Sequence, residues 1–453
     1  MNESSMVTQP PLNREAELNT LELHVQAALD QARRLGASDA EVSASTSQGL
    51  SVAVRLGEVE TLEHMQDRGL SVTVLIGRRK GLASSADLRQ ESIAACVERA
   101  IDIARFTQED PCNGLAEPER MATEQPDLDL WHPATVDAEA AIKRALACEA
   151  AGLQDKRINN SEGGAFTAGL GLSVYGNSNG FIGRSSGTNF SQSCILLAGE
   201  GDGMQRDYAY DSRRCLADLE SAQDTGEEAA RRTVRRLDPS QLPTAEMPIL
   251  FAPRVASGLL GHLMGAISGS SLYRNASFLK DRAGDALFPS WLKISERPHL
   301  KRGAASANFD AEGVATQARN IIDGGVLTGY VLSSYSARRL GLETTANAGG
   351  VRNLLLAPGG EVEGDLLAGL EDGFYVTEVM GQGINLVTGD YSRGASGFLV
   401  RNGNLVHPVE EVTIAGNLED MFRNIAASGS DIDTRGNVHC GSVLVRSMMV
   451  AGS

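Results

Sequence analysis

The apolar residues of this chain change period several times, and the changes divide it into elements. Between residues 15 and 34, Leu18, Leu21, Leu23, Val25, Ala28 and Leu29 form a stripe among Glu, Gln and Arg, with Gly36 as a stop. This spacing predicts an amphipathic helix. The period then falls toward two: residues 41–44, 50–56, 59–62, 70–76 and 81–85 are short alternating or β-branched runs parted by Gly or Asp, as in an antiparallel meander. Helical spacing returns over 92–105 through Ile93, Val97, Ile101 and Ala104. After a loop with Pro111, Pro118 and Pro126 the order repeats, with a helix over 136–153, strands over 166–175, 180–185, 191–198 and 204–210, and a helix over 225–237. The reading is an N-terminal α+β domain, 15–237, duplicated as helix, antiparallel strands, helix in two half-repeats, 15–105 and 137–237. A disordered polar arm, 1–14, precedes it, and a linker with Pro239 and Pro243, 238–246, follows.

The second domain, 247–453, opens on the apolar run 247–252, read as a buried strand and closed by Pro253. Ala256, Leu259, Leu260, Leu263, Met264 and Ile267 then recur at helical steps. Gly258, Gly261, Gly265 and Gly269 leave that helix thinly covered, so another backbone is expected to pack close against it. Residues 281–313 read as a surface stretch. Strands follow at 319–322 and 326–333 around an Asp-Gly-Gly hairpin signal, then a short helix over 334–340 stopped by Gly341. Gly-punctuated strands are predicted at 353–356, 373–380, 395–401, 404–407, 409–415, 442–446 and 448–451, with a hairpin at Asn402-Gly403 and a helix over 418–426. Many short strands imply a mainly antiparallel, barrel-like domain, and the fold class is α+β.

Composition narrows the function. A formal charge of -17 over 453 residues argues against general affinity for nucleic acid or for anionic membrane surfaces. Cys96, Cys112, Cys148, Cys194, Cys215 and Cys440 are scattered without a CxxC pair, as expected of reduced thiols in the cytoplasm. No run approaches the roughly 18 apolar residues of a membrane span, and the first dozen residues lack a signal-peptide pattern. The Arg-rich run 230–236 reads as the solvated end of a helix.

Several chemistries can be weighed on residues. Gly381-Gln382-Gly383 opens like a phosphate loop but lacks the third glycine, and no GK[ST] or GxSxG occurs. His262, His407, His439 and Cys440 are the soft donors of the second domain. Their spacing does not gather them on one metal, so packing or hydrogen-bonding roles are expected. Residues 376–400 carry more polar functionality. Gly381 and Gly383 there allow close approach of an extended chain, and Thr388, Asp390, Tyr391, Ser392 and Arg393 offer hydrogen bonds to it. The alternative is a set of β-turns with an internal Asp390–Arg393 pair.

The strand, the Gly-rich helix and the segments AEVSASTSQGLSVAVRLGEVE, DPCNGLAEPE, QRDYAY, TGDYSRGASGF and VTIAGNLEDM resemble the TldD/PmbA family of paired bacterial metalloprotease subunits. The likeness extends along nearly the whole chain. In the TldD type this helix carries a HExxxH zinc motif. Here Leu260 and Gly261 stand where the first His and the Glu would fall, and Gly265 where the second His would be. Leu and Gly offer zinc no lone pair. The chain therefore resembles the PmbA/TldE type, which lacks the motif.

That resemblance implies a cytoplasmic, non-catalytic subunit with no cofactor of its own, and zinc in a TldD-like partner. It implies substrates that are unfolded peptides or small proteins, such as a microcin precursor or an antitoxin. The loop around residues 381–393 would then border a shared substrate groove. A peptide-binding or scaffold homodimer, as the family's name of DNA gyrase modulator suggests, is the competing reading, and a self-sufficient peptidase is a third.

Overall fold

A computed structural model of the chain describes residues 12–362 and 364–452; the expected arm lies, up to residue 11, outside them. The chain forms two compact units, Met1–Ala198 with Arg206–Thr233, and Gly199–Gln205 with Val234–Ser453.

In the first unit α1 (Arg14–Arg34) begins where the Asn13 side chain accepts the Ala16 N–H, so residues 13 and 14, expected in the arm, belong to the helix start. It buries Leu18, Leu21, Val25, Ala28 and Ala32. After it come β1 (Asp39–Arg55), β2 (Glu58–Ile76), β3 (Arg79–Ser85) and α2 (Gln90–Phe106). The second half repeats the order with α3 (Ala138–Gly152), β4 (Ile158–Asn177), β5 (Ile182–Ala198), β6 (Gln205–Arg213) and α4 (Ala222–Val234). All six strands form one sheet, ordered β3–β2–β1–β4–β5–β6. The halves meet where β1 and β4 run antiparallel, from Glu41 opposite Asn177 to Val54 opposite Gly164.

Each strand predicted in pieces here is continuous. Gly49 lies opposite Gly169 inside β1 rather than ending it. A Cβ on Gly49 would come 2.9 Å from the Met65 side chain and 3.2 Å from the Ala168 carbonyl, so this glycine serves close strand approach. The polar stretch between residues 62 and 70, with no apolar alternation to mark it, is held as strand by its pairing with β1.

The second unit contains, in order, β7 (Ala245–Phe251), α5 (Pro253–Ala266), α6 (Gly269–Tyr273), β8 (Ile294–Glu296), β9 (Arg319–Asp323), β10 (Val326–Leu327) and α7 (Ser334–Leu340). Next are β11 (Leu354–Leu356), β12 (Gly359–Gly360), β13 (Asp372–Met380), β14 (Asp390–Arg401) and β15 (Asn404–Asn417). The chain finishes with α8 (Leu418–Arg423), β16 (Ile425–Ser428), β17 (Val438–His439) and β18 (Val443–Ala451). Strands β7, β13, β14, β15 and β18 pair in succession, and β18 pairs back onto β7, so five strands close a barrel. Only the β7–β13 contact in that ring is parallel.

Ile249, Phe251, Phe374, Val376, Ile414 and Val445 fill the interior side, together with Leu259 and Leu263 of α5. A fully buried Leu such as Leu263 contributes about 1.5–3 kcal/mol. Leu250, Val400 and Leu444 face outward beneath Leu366 and Leu370.

A second sheet, β10–β9–β8–β11–β17, stands in the same unit. Both predicted hairpins form. Gly324 and Gly325 take φ of 57° and 78°, and Asn402 and Gly403 take 51° and 72°, the left-handed pair that a two-residue turn demands. Residues 281–313 are not a surface stretch: they include β8 and bury Leu287, Leu292, Ile294, Glu296 and Asp310. The helix predicted over 418–426 ends at Arg423, after which β16 begins.

Candidate functional site

Helix α5 follows β7 through Ala252, and Pro253 at its first turn has no N–H to leave unsatisfied. One face buries Val255, Ala256, Leu259, Leu260, Leu263 and Ala266. The opposite side is bare. A Cβ on Gly258 or Gly261 would meet nothing within 4 Å, while one on Gly265 would come 3.1 Å from Leu386. Among the described residues, therefore, the close backbone approach expected at these glycines does not occur. Gly269, in α6, is the one closely met, by the side chains of Ser336 and Leu332.

The positions assigned to the zinc motif do not share a side. Leu260 packs toward Phe288, Ile294 and Phe422, whereas Gly261 is exposed. His262 is half-buried, and its ring meets Tyr391 edge-on, with centroids 6.0 Å apart. Burial lowers the His262 pKa, and the Arg393 guanidinium lowers it further, so the imidazole is neutral at pH 7. Burial pushes the Tyr391 phenol up to about 12, so it stays protonated.

The loop of residues 381–390 is built by its own hydrogen bonds. Ser392 N–H donates to Gly383 O at 2.7 Å, Gly389 N–H to Asn385 O at 2.7 Å, and Phe278 N–H to Leu386 O at 2.9 Å. Thr388 Oγ1 donates to Asp390 Oδ2 at 2.6 Å. Arg393 Nε donates to Met380 O at 2.9 Å. The turn-forming half of the sequence reading is thus present, but Asp390 is engaged by Thr388 and Arg393 by a main-chain carbonyl. Gly381, Gly383, Thr388, Asp390 and Ser392 are exposed, and Arg393 is partly so.

Two supports escaped the sequence reading. Asn417 donates from Nδ2 to Thr388 O at 3.0 Å and caps α8. Leu386 covers Gly265. The Asn-Leu-Glu-Asp run at 417–420 is a helix-start signal that could have revealed the first.

The remaining soft donors lie apart in role. His407 Nδ1 pairs with Ser240 Oγ at 2.7 Å. His439 Nε2 lies 3.1 Å from Gly436 O. Cys440 is fully buried, 3.6 Å from Pro253 O, and burial, with Asp433 and Asp431 nearby, pushes its thiol up to about 12. Among the described residues no group of three or more His, Cys, Asp or Glu is placed to hold a metal ion. A zinc ion needs about three such donors, so these side chains do not fit one. What α5 and the loop do present is a bare helix face beside exposed hydrogen-bonding groups, an arrangement that suits close approach of a polypeptide backbone.

A closed five-stranded barrel with a glycine-faced, donor-poor helix beside a polar loop defines the class. Residues 40–104, 131–237 and 244–452 match domain 1, the central domain and the C-terminal domain of the PmbA/TldA metallopeptidases. The chain belongs to this PmbA/TldD family. It is 49% identical to Metalloprotease PmbA of Escherichia coli O157:H7 over 97% of both chains, and 45% identical to the Haemophilus influenzae homologue over 97% of both. The fold matches a Bacteroides thetaiotaomicron protein titled a modulator of DNA gyrase, with TM-score 0.90 and 29% identity over 95% of this chain and 99% of that one. It also matches TldE of Thermococcus kodakarensis, with TM-score 0.82 and 19% identity over 95% and 100%. Among the described residues no helix is long and apolar enough to cross a membrane.

Proposed function

We propose that this chain is the non-catalytic subunit of a cytoplasmic TldD/TldE-type metalloprotease, helping to enclose unfolded peptides while a zinc-bearing TldD-like partner cuts them. The observation that carries this reading is the face of α5: Gly258 and Gly261 open to solvent, and His262 as its one imidazole. An extended peptide laid along that face would meet main chain rather than side chains. Thr388, Asp390, Ser392 and Arg393 would supply hydrogen bonds, and Tyr391 with His262 the wall behind them. Peptides such as a microcin precursor or an antitoxin are the substrate class in view. A structural relative is named for modulation of DNA gyrase rather than for proteolysis, which is why a peptide-binding or scaffold homodimer without cutting is the competing reading.

Mixing the purified chain with a HExxxH-bearing TldD-type protein separates the readings. Peptide cleavage by the mixture alone is expected, with no stoichiometric zinc on this chain by metal analysis. Gly261→Trp fills the open face and should lower cleavage at least about tenfold, a loss of about 1.4 kcal/mol, while the two proteins still copurify. Chelator-sensitive hydrolysis by this chain alone, or cleavage indifferent to Gly261→Trp, would sink the proposal.

A further inference from the structure

The two halves of the first unit differ at one edge. In β2 the outer side pairs with β3 only from Leu70 to Ile76, and the sheet order places no other strand of the described residues beyond it. Residues 58–68 are all exposed. In the second half, β5 is the counterpart of β2, and its outer side is covered by the chain itself. Thr188 N–H donates to Leu130 O at 2.9 Å, His132 N–H donates to Thr188 Oγ1 at 3.0 Å, and Arg214 donates to Thr188 O at 3.1 Å. The second half thus sets Leu130, His132 and Arg214 against this edge at Thr188, and among the described residues the first half has no counterpart to them.

A cavity of about 210 Å³ lies beside the uncovered stretch. Leu50, Leu62, Val136, Leu170 and Phe190 line it, and His64 stands at its β2 side. Leu62 and His64 pair with Val52 and Leu50, so they look toward the cavity side of the sheet. The edge is also acidic, with Glu58, Glu60, Glu63 and Asp67 against Arg68. Two copies of this chain joined edge to edge would bring two net-negative edges together, which is unfavourable. Uncovered strand edges attract extended chains, and the charge here selects a basic one.

We propose that the outer edge of β2 at residues 58–68 docks an extended, basic segment of another polypeptide by strand addition, with one of its apolar side chains entering the cavity beside Leu62. Main-chain pairing would supply affinity and the cavity selectivity, as in other strand-addition complexes. The inference concerns the first unit alone and does not rest on the function proposed for α5.

The test uses the full chain and a fluorescent, end-blocked peptide, Lys-Thr-Lys-Leu-Lys-Thr-Lys, read by anisotropy. Binding is expected. It should weaken at least about tenfold when one alternating set of peptide amides is N-methylated, and little when the other set is, because only one edge of a strand pairs. Replacing the peptide Leu by Asp, or making Glu60→Lys with Glu63→Lys in the protein, should each weaken it by about tenfold or more. Those two protein positions are exposed, so the fold is retained, and near-ultraviolet circular dichroism checks it. Absence of binding means that the acidic edge only repels strands, and overturns the proposal. So does equal binding of both N-methylated peptides, which shows charge attraction alone. A concentration-dependent dimer in sedimentation that the double variant abolishes would assign the edge to a second copy and overturn it as well.

Discussion

In the second unit, Glu296, Asp310, Arg319 and Asn347 make a buried polar knot, whereas the polar residues of the 381–393 loop stand mostly in the open beside α5. Glu296, 2% exposed, accepts from Arg319 Nε at 2.9 Å, Asn347 Nδ2 at 2.7 Å and Arg352 N–H at 2.7 Å. Arg319 also donates to Tyr330 O at 2.9 Å. Asp310 accepts the N–H groups of Glu312, Val314 and Ala348 at 2.9, 3.0 and 2.9 Å. In the loop, Thr388, Asp390 and Ser392 remain exposed. Both regions close hydrogen bonds within the unit, but the first does so in a buried place, whereas Thr388, Asp390 and Ser392 do so at the surface. Carboxylates and amides crowded in a sequence therefore do not mark a site. What separates the two is burial, which leaves the polar groups of the loop in contact with water.

The largest test of this contrast is Glu296→Ala. It removes the buried carboxylate that Arg319 Nε, Asn347 Nδ2 and the Arg352 N–H share, and should lower unfolding free energy by about 3–5 kcal/mol in urea denaturation. A loss below about 1 kcal/mol, the range of exposed pairs, would show that the knot is solvated and the contrast false.

Leu260→Ala comes next. It opens space against Phe288 and Phe422 and should cost about 3 kcal/mol. Leu260→His should cost at least as much, and zinc titration should show no gain in binding, since that side chain points into the core.

Asp310 gives a pH signature. Burial raises its pKa to about 6 against the three N–H bonds that pull it down. A raised folded pKa means the native state holds the proton more tightly. Its contribution is therefore complete below about pH 4, and fades as pH rises through about 6, by on the order of 2 to 3 kcal/mol. Asp310→Asn should flatten that slope between pH 4 and 7. An unchanged slope would place the titration elsewhere.

The smallest effect is Gly261→Ala, expected to gain up to about 1 kcal/mol because a Cβ there meets open space in a helix interior. Destabilisation would mean that the face is packed after all.

Much of the fold could be read ahead of the structure, though unevenly. Helix α7 with its Gly341 stop runs over the predicted residues, and the Gly324-Gly325 and Asn402-Gly403 turns form where the dipeptides signal them. The β1–β2 turn falls at the Gly57 break between the predicted runs, but Leu56, read as the end of a strand, belongs to the turn. Leu56 adopts φ 51°, unusual for that residue, because the buried Glu149 carboxylate accepts both the Leu56 and Gly57 N–H groups at 2.8 and 2.9 Å. A local reading has no access to a partner 93 residues away. Residues 281–313 misled for a related reason: their polar groups look solvated until Arg319 and Asn347 arrive from elsewhere. At the candidate site the glycines of α5 were legible, but the open space over Gly258 and Gly261 was not.

By itself the sequence determined the local periods, the turn chemistry, the acidity and the lack of lone-pair donors at Leu260, Gly261 and Gly265, because each depends on residue type and spacing alone. Tertiary structure decided that β18 closes the barrel onto β7, that Leu260 faces the core while Gly261 faces solvent, and that among the described residues β2 keeps an open edge where β5 does not. Those outcomes depend on which distant segments meet, and burial, pairing and hydrogen-bond satisfaction are settled only when they do.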